Sequence, residues 1–414
     1  MFDLVDILKK GTPSHEVVKE SITSVLFYQT EQCRELVLEA YRFEGVAPPE
    51  VLTNSDLSIS DHVRQQSIEV VIVELNKSEN VTEDAERISH LLPSHASVIV
   101  IGSEDAISTI RNLKDMGFYY VFWPIPKEEL IDFVKSVHNN RQWNRGPGQK
   151  RRAKRVAVIG AKGGVGCSLV TSEIAHQLVD DKHSTCVVVD HNYSAGNIDI
   201  MMGVTKFEKR QVPSGALLTG LDLSTAKAML AKQSDALSIL ALSSSDLKLD
   251  EMEEYTESVT ELISSDVNFV IDDLSASSVN PYKTAINWLD CDCAILIFTP
   301  TISSVRDAAR LKKRFSQLPE DKRPRFIAVL NHTQPEKFSN VPTADIEKYL
   351  EHKIDVVIPF SGKAASELVE GKRLVKADNK LSAPLKKLTS LLLGEKTNLK
   401  SKKSLFSFSR ARSK

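Results

Sequence analysis

No stretch of this 414-residue chain approaches the ~18 consecutive apolar residues that a membrane-spanning helix needs. The opening MFDLVDILKK carries acidic residues and no apolar run of signal-peptide length, so export is not expected. Cysteine is scarce and scattered. Of Cys33, Cys167, Cys186, Cys291 and Cys293, only the last two are close, and a single intervening residue is the wrong spacing for a usual zinc or redox pair. Reduced thiols in a cytoplasmic protein are the expectation. Charge of one sign is also missing: a formal net charge of -2 gives no global reason for a nucleic-acid partner, and no specific one is expected. What remains, 42% apolar and 26% charged residues, is ordinary for a soluble globular chain of about two to three domains.

Two composition shifts divide the chain. The segment around Asn139–Arg155 is polar and basic, and Gly146, Pro147 and Gly148 interrupt it, so it reads as a linker. After Leu393 the sequence turns basic and serine-rich and loses core periodicity. The expected organisation is therefore a domain over 1–140, a basic linker over 141–154, a second domain over 155–394 and a tail over 395–414. Both domains read as α/β. In the first, SVLFYQ, EVLT, EVVIVEL, SVIVIGS and YYVFWP alternate with helical patterns, the flavodoxin-like arrangement of receiver domains. In the second, RVAVIGA, TCVVVDH, LSILAL, NFVIDDL, CAILIFT, RFIAVLN and IDVVIPF alternate with amphipathic stretches, which predicts a mainly parallel sheet covered on both faces.

Gly160–Ser168 leaves an apolar strand and opens a helix, the context that makes a phosphate-binding loop credible. Gly163, Gly164, Val165 and Gly166 would turn backbone N–H groups inward, and the helix N-terminus adds its positive dipole end. Ser168 closes the loop at the position that ligates Mg²⁺. Cys167 stands where such loops present a lysine. A helix N-terminus can activate a thiolate, but no histidine or acid is fixed beside Cys167 in sequence, so it reads as a small loop filler.

KGGVG, with Lys162 at its start, resembles the deviant Walker A motif of the MinD/ParA family of dimeric ATPases. Further stretches resemble that family in its own order: VVVDHNYSAGNIDIMMG, FVIDDLS, AVLN and VVIPFSGKAASELVEGKRLV. The resemblance implies ATP and Mg²⁺ as cofactors and a homodimer in which Lys162 reaches the partner's nucleotide. It also implies Asp273, rather than Asp272, as the acid that meets Mg²⁺ through water, and Asn331 and Pro359 beside adenine. Two departures bear on chemistry. Cys167 lacks the charge and reach of the loop lysine, and Asn192 stands where a water-orienting carboxylate is usual, with Asp190 or Asp199 as partial substitutes. Binding is expected to outlast hydrolysis, leaving at most a weak ATPase.

The first domain keeps the receiver pattern without its chemistry. Gln29–Thr30–Glu31 replaces the acidic pair, Glu74 the acceptor aspartate and Trp123 the lysine, while Ser103 is retained. Phosphotransfer is not expected. Glu74 reads as a permanently charged acceptor mimic or as an exposed strand-end acid; the aromatics from Phe118 to Trp123 read as a core cap or a docking surface. Such a domain ahead of a lysine-poor KGGVG-small-Ser loop resembles the TadZ/CpaE proteins of Tad (Flp) pilus assembly. That resemblance implies a localisation factor at a cell pole or the inner face of the membrane, with the pilus secretion ATPase and inner-membrane pilus components as partners. In the tail, basic residues bracket Leu405, Phe406 and Phe408, which reads equally as a membrane-surface contact or as a solvated segment. Lys312, Lys313 and Arg314 read as a solvated helix face. The rival function is an active ParA/MinD-like partitioning ATPase working on other cargo.

Overall fold

Five short runs rich in valine, isoleucine, phenylalanine and tyrosine become strands β1 (Ser24–Tyr28), β2 (Glu50–Thr53), β3 (Val70–Glu74), β4 (Ser97–Gly102) and β5 (Phe118–Phe122). These come from a computed structural model that describes residues 22–63, 68–92, 96–142, 152–204, 207–213, 221–275, 291–339 and 341–395. Most of the expected linker (143–151) and the tail from 396 onward lie outside the described residues. The chain divides into two compact units, Met1–Arg151 and Arg152–Lys414.

In the first unit all strand pairs are parallel and run in the order β2-β1-β3-β4-β5, the order of flavodoxin-type doubly wound sheets. Because side chains alternate across a strand, Val71, Val73, Val98 and Val100 enter one core with Ala85 and Ile88. Val70, Ile72, Ile99 and Ile101 enter another with Val37 and Leu130. The helix Glu31–Phe43 buries Cys33, Val37, Ala40 and Tyr41, a single stripe at helical spacing, and its N-cap Thr30 accepts from Cys33 N. A short helix over Asp56–Val63 lies between β2 and β3. Of the aromatics near β5, Phe118 is buried and Trp123 packs on the core, while Phe122 stands exposed.

Glu74 is not an exposed strand-end acid. It is fully buried, and its carboxylate accepts from Gln29 N (2.6 Å), Thr30 N (2.8 Å), Thr30 Oγ1 (2.6 Å) and Asn76 Nδ2 (2.8 Å). Asn54 Nδ2 adds a bond to its backbone carbonyl at 2.7 Å. The charge is thereby dissolved in local donors, which lets a carboxylate sit away from water. It also ties the end of β3 to the loop that opens the first helix.

In the second unit, β6 (Lys154–Gly160), β7 (Cys186–Asp190), β8 (Arg210–Gln211), β9 (Ala231–Lys232), β10 (Leu237–Ser243), β11 (Phe269–Leu274), β12 (Cys293–Phe298), β13 (Arg325–Asn331) and β14 (Val356–Ile358) build one sheet. Its order is β14-β13-β12-β6-β11-β7-β10-β8, with β9 antiparallel on β10 and every other pair parallel. The two-residue β8 and β9 are additions to the seven expected strands. Val156 and Val158 face the helices Cys167–Asp180 and Asn379–Leu392, while Ala157 and Ile159 face Ile302–Ser316. The helix Leu249–Ile263 covers Val187 and Val189 through Tyr255 and Val259. Each fully buried aliphatic side chain contributes roughly 1.5–3 kcal/mol to this packing. The chain winds from β6 toward β7 on one side, and β12 lies on the other, so the carboxyl end of β6 is the crevice where such sheets bind ligands.

Truncating Glu74 strands several buried donors at once, so Glu74→Ala is expected to cost at least about 3 kcal/mol, and Glu74→Gln distinctly less. Amide hydrogen exchange of the full chain checks this: β1 and β3 should lose about two orders of magnitude of protection in Glu74→Ala, with the second unit unchanged.

Candidate functional site

β6 ends at Gly160, Ala161 N donates to Ile297 O at 2.8 Å, and the chain turns through Lys162–Gly166 into the helix Cys167–Asp180. Gly164 and Gly166 hold φ of 79° and 92°, a left-handed conformation open to glycine at little cost. At Gly164 a Cβ would meet nothing within 4 Å, whereas at Gly166 it would come 2.5 Å from Asn331 Nδ2. Asn331 is buried and donates from Nδ2 to Val165 O at 2.7 Å. The resemblance sets this residue beside a base; its amide nitrogen here fastens the end of β13 beneath the loop. Asn331 is the register partner of Ile358, so Pro359 follows at the same sheet end, half-buried.

The thiol of Cys167 does not point where a loop lysine would serve phosphates. It is buried and donates to Val158 O at 3.1 Å, and burial together with the nearby Asp273 charge pushes its pKa well up. It is a neutral filler with no nucleophile's activation. Asp273, at the carboxyl end of β11, is buried with the Ser168 hydroxyl and the Cys167 thiol against its carboxylate. Burial raises its pKa to about 6 against the opposing pull of those two groups, and the Asp190 charge adds to the rise. One oxygen, Oδ1, has no hydrogen-bond partner.

Asp272 goes to the other face. Arg155 Nε donates to its Oδ2 at 2.7 Å, His191 Nε2 lies 2.8 Å from its Oδ1, and Arg155 grips Glu257 through two further bonds of 2.5 and 2.7 Å. Burial alone would raise this carboxyl, but the charges of Arg155 and then His191 hold it well below the usual carboxylate range. The structure thus separates the two adjacent acids: Asp272 is a strut of the sheet, and Asp273 faces the loop.

Asp190 is the register partner of Asp273 on β7 and is likewise buried. Its Oδ1 accepts from Asn192 N at 2.9 Å, and a Cβ on Gly196 would overlap its Oδ2 at 2.1 Å, so only glycine lets that backbone pass. Asn192 Oδ1 accepts from Ala195 N at 3.0 Å and so closes a turn. Asp199 lies on the short helix Ile198–Met202, whose backbone is held by Arg373 and Ser172. Lys162, 41% exposed in its side chain, brings Nζ to 3.6 Å from Asp307 Oδ2 on the helix Ile302–Ser316. Lys312 on that helix is no merely solvated cation, since Nζ donates to Leu350 O at 2.7 Å and Glu351 O at 3.0 Å.

Comparison with known proteins gives one consistent direction. No family model matches the chain. The septum site-determining protein MinD of Helicobacter pylori is 24% identical over 263 residues, covering 61% of this chain and 96% of that protein. MinD of Bacillus subtilis is 24% identical over 200 residues, covering 48% and 71%. Among solved structures, a ParA family ATPase from Chlorobium tepidum covers 57% of this chain and 98% of its own at 20% identity, with a TM-score of 0.47. The chain shares homology with the MinD/ParA-family P-loop ATPases.

For the MinD/ParA-like unit the question is then whether its own residues fit a metal and a polyphosphate. Among the described residues no three His, Cys, Asp or Glu side chains gather to hold a metal by themselves. Magnesium does not require that, since it keeps waters and takes one or two protein ligands beside phosphate oxygens. Ser168 beside Asp273, with Oδ1 lacking a donor, fits that demand, and the open backbone at Gly164 fits an anion. Two features escaped sequence reading. Gly196 was one glycine among many until its distance to Asp190 gave it a purpose. Lys209 lies 3.1 Å from Asp190 Oδ2 and donates to Asn192 O, although no motif marks it.

The raised pKa of Asp273 sets a sign. A carboxyl raised from 3.8 to about 6 contributes stability that is present below its unfolded value and lost as pH rises through about 6. At neutral pH the buried charge therefore costs on the order of 3 kcal/mol in the ligand-free chain. Asp273→Asn is expected to melt higher than wild type at pH 7.5 without Mg²⁺, to lose that advantage near pH 4.5, and to respond less to Mg²⁺ with ATP. Scanning fluorimetry across pH checks all three.

Proposed function

We propose that the second unit binds ATP with Mg²⁺ and works as a nucleotide-stabilised homodimer, with hydrolysis slow or absent. The observation that carries this reading is the split within the loop. Ser168 and Asp273, the pair that would hold the metal, lie against each other, while the position of the usual loop lysine holds the buried neutral thiol of Cys167. Ser168 and Asp273 would hold the metal, which when bound neutralises charge on the phosphate oxygens. Without an ammonium at position 167, stabilisation of the charge that develops in transfer is weakened. Asn192 can orient water but not accept its proton, and its side-chain oxygen closes a turn. ATP then acts chiefly by mass action, favouring the closed pair to the extent that it binds it better.

In its finer form, the reading is a cytoplasmic localisation factor for Tad (Flp) pilus assembly, of the TadZ/CpaE kind. It would act at a cell pole or the inner face of the membrane and recruit the pilus secretion ATPase and inner-membrane components. What supports this is the order of parts, a receiver-like unit whose acceptor position is closed by Glu74, followed by a MinD/ParA-like unit with a KGGVG-small-Ser loop. No helix among the described residues is long and apolar enough to cross a membrane, so any membrane contact there would be at the surface. The second reading, an active positioning ATPase for other cargo, is favoured by the likeness to septum site-determining proteins.

Mass measurement with and without ATP and Mg²⁺, paired with phosphate release, separates the readings. The expected result is a dimer only with nucleotide, absent in Lys162→Ala, and turnover near background. Robust Mg²⁺-dependent phosphate release that Lys162→Ala abolishes would establish the second reading. Deletion of the gene, with loss of surface pili restored by the wild-type chain, checks the finer assignment.

A further inference from the structure

Cys167 leaves the loop short of one positive charge, yet two carboxylates, Asp190 and Asp273, face each other across paired strands at its side. Of the cations near this end of the sheet, most are engaged elsewhere. Arg155 is locked to Asp272 and Glu257 on the opposite face, and Arg373 is bonded to Met201 O at 3.0 Å. Lys162 lies beside Asp307 on the helix covering the β12 side. Lys209 differs. Its side chain is only 16% exposed, its ammonium lies 3.1 Å from Asp190 Oδ2, and it donates to Asn192 O. Asp190 Oδ2 has no hydrogen-bond partner, so that approach is one of charge without bond alignment. A mostly buried ammonium needs anionic company, and a lysine on its flexible stem can exchange one anion for another with small backbone movement.

We propose that Lys209 supplies, from outside the loop, the positive charge toward the β- and γ-phosphates of a bound nucleotide that Cys167 withholds. The inference rests on the nucleotide-binding reading above. Three observations favour it over a merely structural lysine. The ammonium sits beside the carboxylate adjoining the metal-holding Asp273. Its one hydrogen bond here holds the backbone of Asn192, the residue in the water-orienting position. A buried carboxylate oxygen on the paired strand, Asp273 Oδ1, lacks a donor at the place where metal ligation would be completed.

The test uses the full chain with Mg²⁺ and three fluorescent probes, mant-ATP, mant-ADP and mant-AMP, titrated against wild type, Lys209→Gln and Lys209→Arg. The expected result is mant-ATP affinity about tenfold weaker in Lys209→Gln, roughly 1.4 kcal/mol. The mant-AMP affinity should stay within twofold, and Lys209→Arg should restore most of the mant-ATP loss. Unliganded melting temperatures report whether each variant is folded. Should Lys209→Gln be unfolded, Lys209→Arg and Lys209→Met carry the same comparison of probes. Equal losses for all three probes would mark Lys209 as a structural prop and overturn the inference, as would unchanged mant-ATP binding in Lys209→Gln. Wild type that binds none of the probes would overturn the nucleotide reading and this inference with it, an outcome distinct from binding that ignores position 209.

Discussion

The second unit is organised around one register pair. β7 and β11 align so that Asp190 and Asp273 stand side by side at the carboxyl end of the sheet, both buried. Two like charges in a poorly solvated place repel, and burial makes Asp273 harder to ionise. The surroundings answer that cost in ways that define the site. Ser168 and Cys167 put their side chains against Asp273, Asn192 N and Lys209 meet Asp190, and Gly196 makes room for its oxygen. The neutrality of Cys167 follows from the same constraint, because a thiolate there would add another negative charge to a pair already in excess.

The neighbouring dipeptide Asp272–Asp273 shows how strand alternation assigns chemistry. Consecutive residues of β11 face opposite sides of the sheet. Asp272 finds Arg155 and His191 there and becomes part of a buried ion-pair network, whose breaking would strand a charge rather than disable a site. Asp273 finds a helix N-terminus and a hydroxyl. Two identical side chains, one residue apart, are separated in function by the direction of a Cα–Cβ bond.

The strand and its place in the chain are legible from period and order, whereas the choice of Asp273 over Asp272 is what the family resemblance implies. Apolar runs such as CVVVD and CAILIF, each bounded by polar residues, mark strands buried on both faces, and the glycine loop after β6 falls at a strand's carboxyl end as its motif requires. What escaped reading depends on non-periodic segments. Lys209 reaches Asp190 from a stretch just before the two-residue β8, with neither apolar alternation nor a spacing rule to place it. The resemblance sets Asn331 beside a base, and order along the chain does not say which backbone carbonyl lies within reach of its amide. The Val165 carbonyl does. Of the two readings the sequence offers for Glu74, a charged acceptor mimic and an exposed strand-end acid, the second rests only on acids being usually exposed. The donors that reverse this lie far earlier in the chain, in Gln29 and Thr30, which only the β1–β3 pairing brings alongside.

Glu74 and Asp273 occupy the same formal place, the carboxyl end of a central parallel strand, each buried beside a loop that opens a helix. The difference between them is the number of donors. Glu74 receives four hydrogen bonds from residues of its own unit and has little capacity left for a ligand. Asp273 keeps one oxygen without a partner and a raised pKa. Satisfying a buried carboxylate internally makes a stable joint; leaving it partly unsatisfied makes the ligand-free state carry an energetic cost that a cation can remove. By that criterion the carboxyl end of β3 is closed into the structure of its own unit, while the carboxyl end of β11 keeps one carboxylate oxygen open to a donor or a cation.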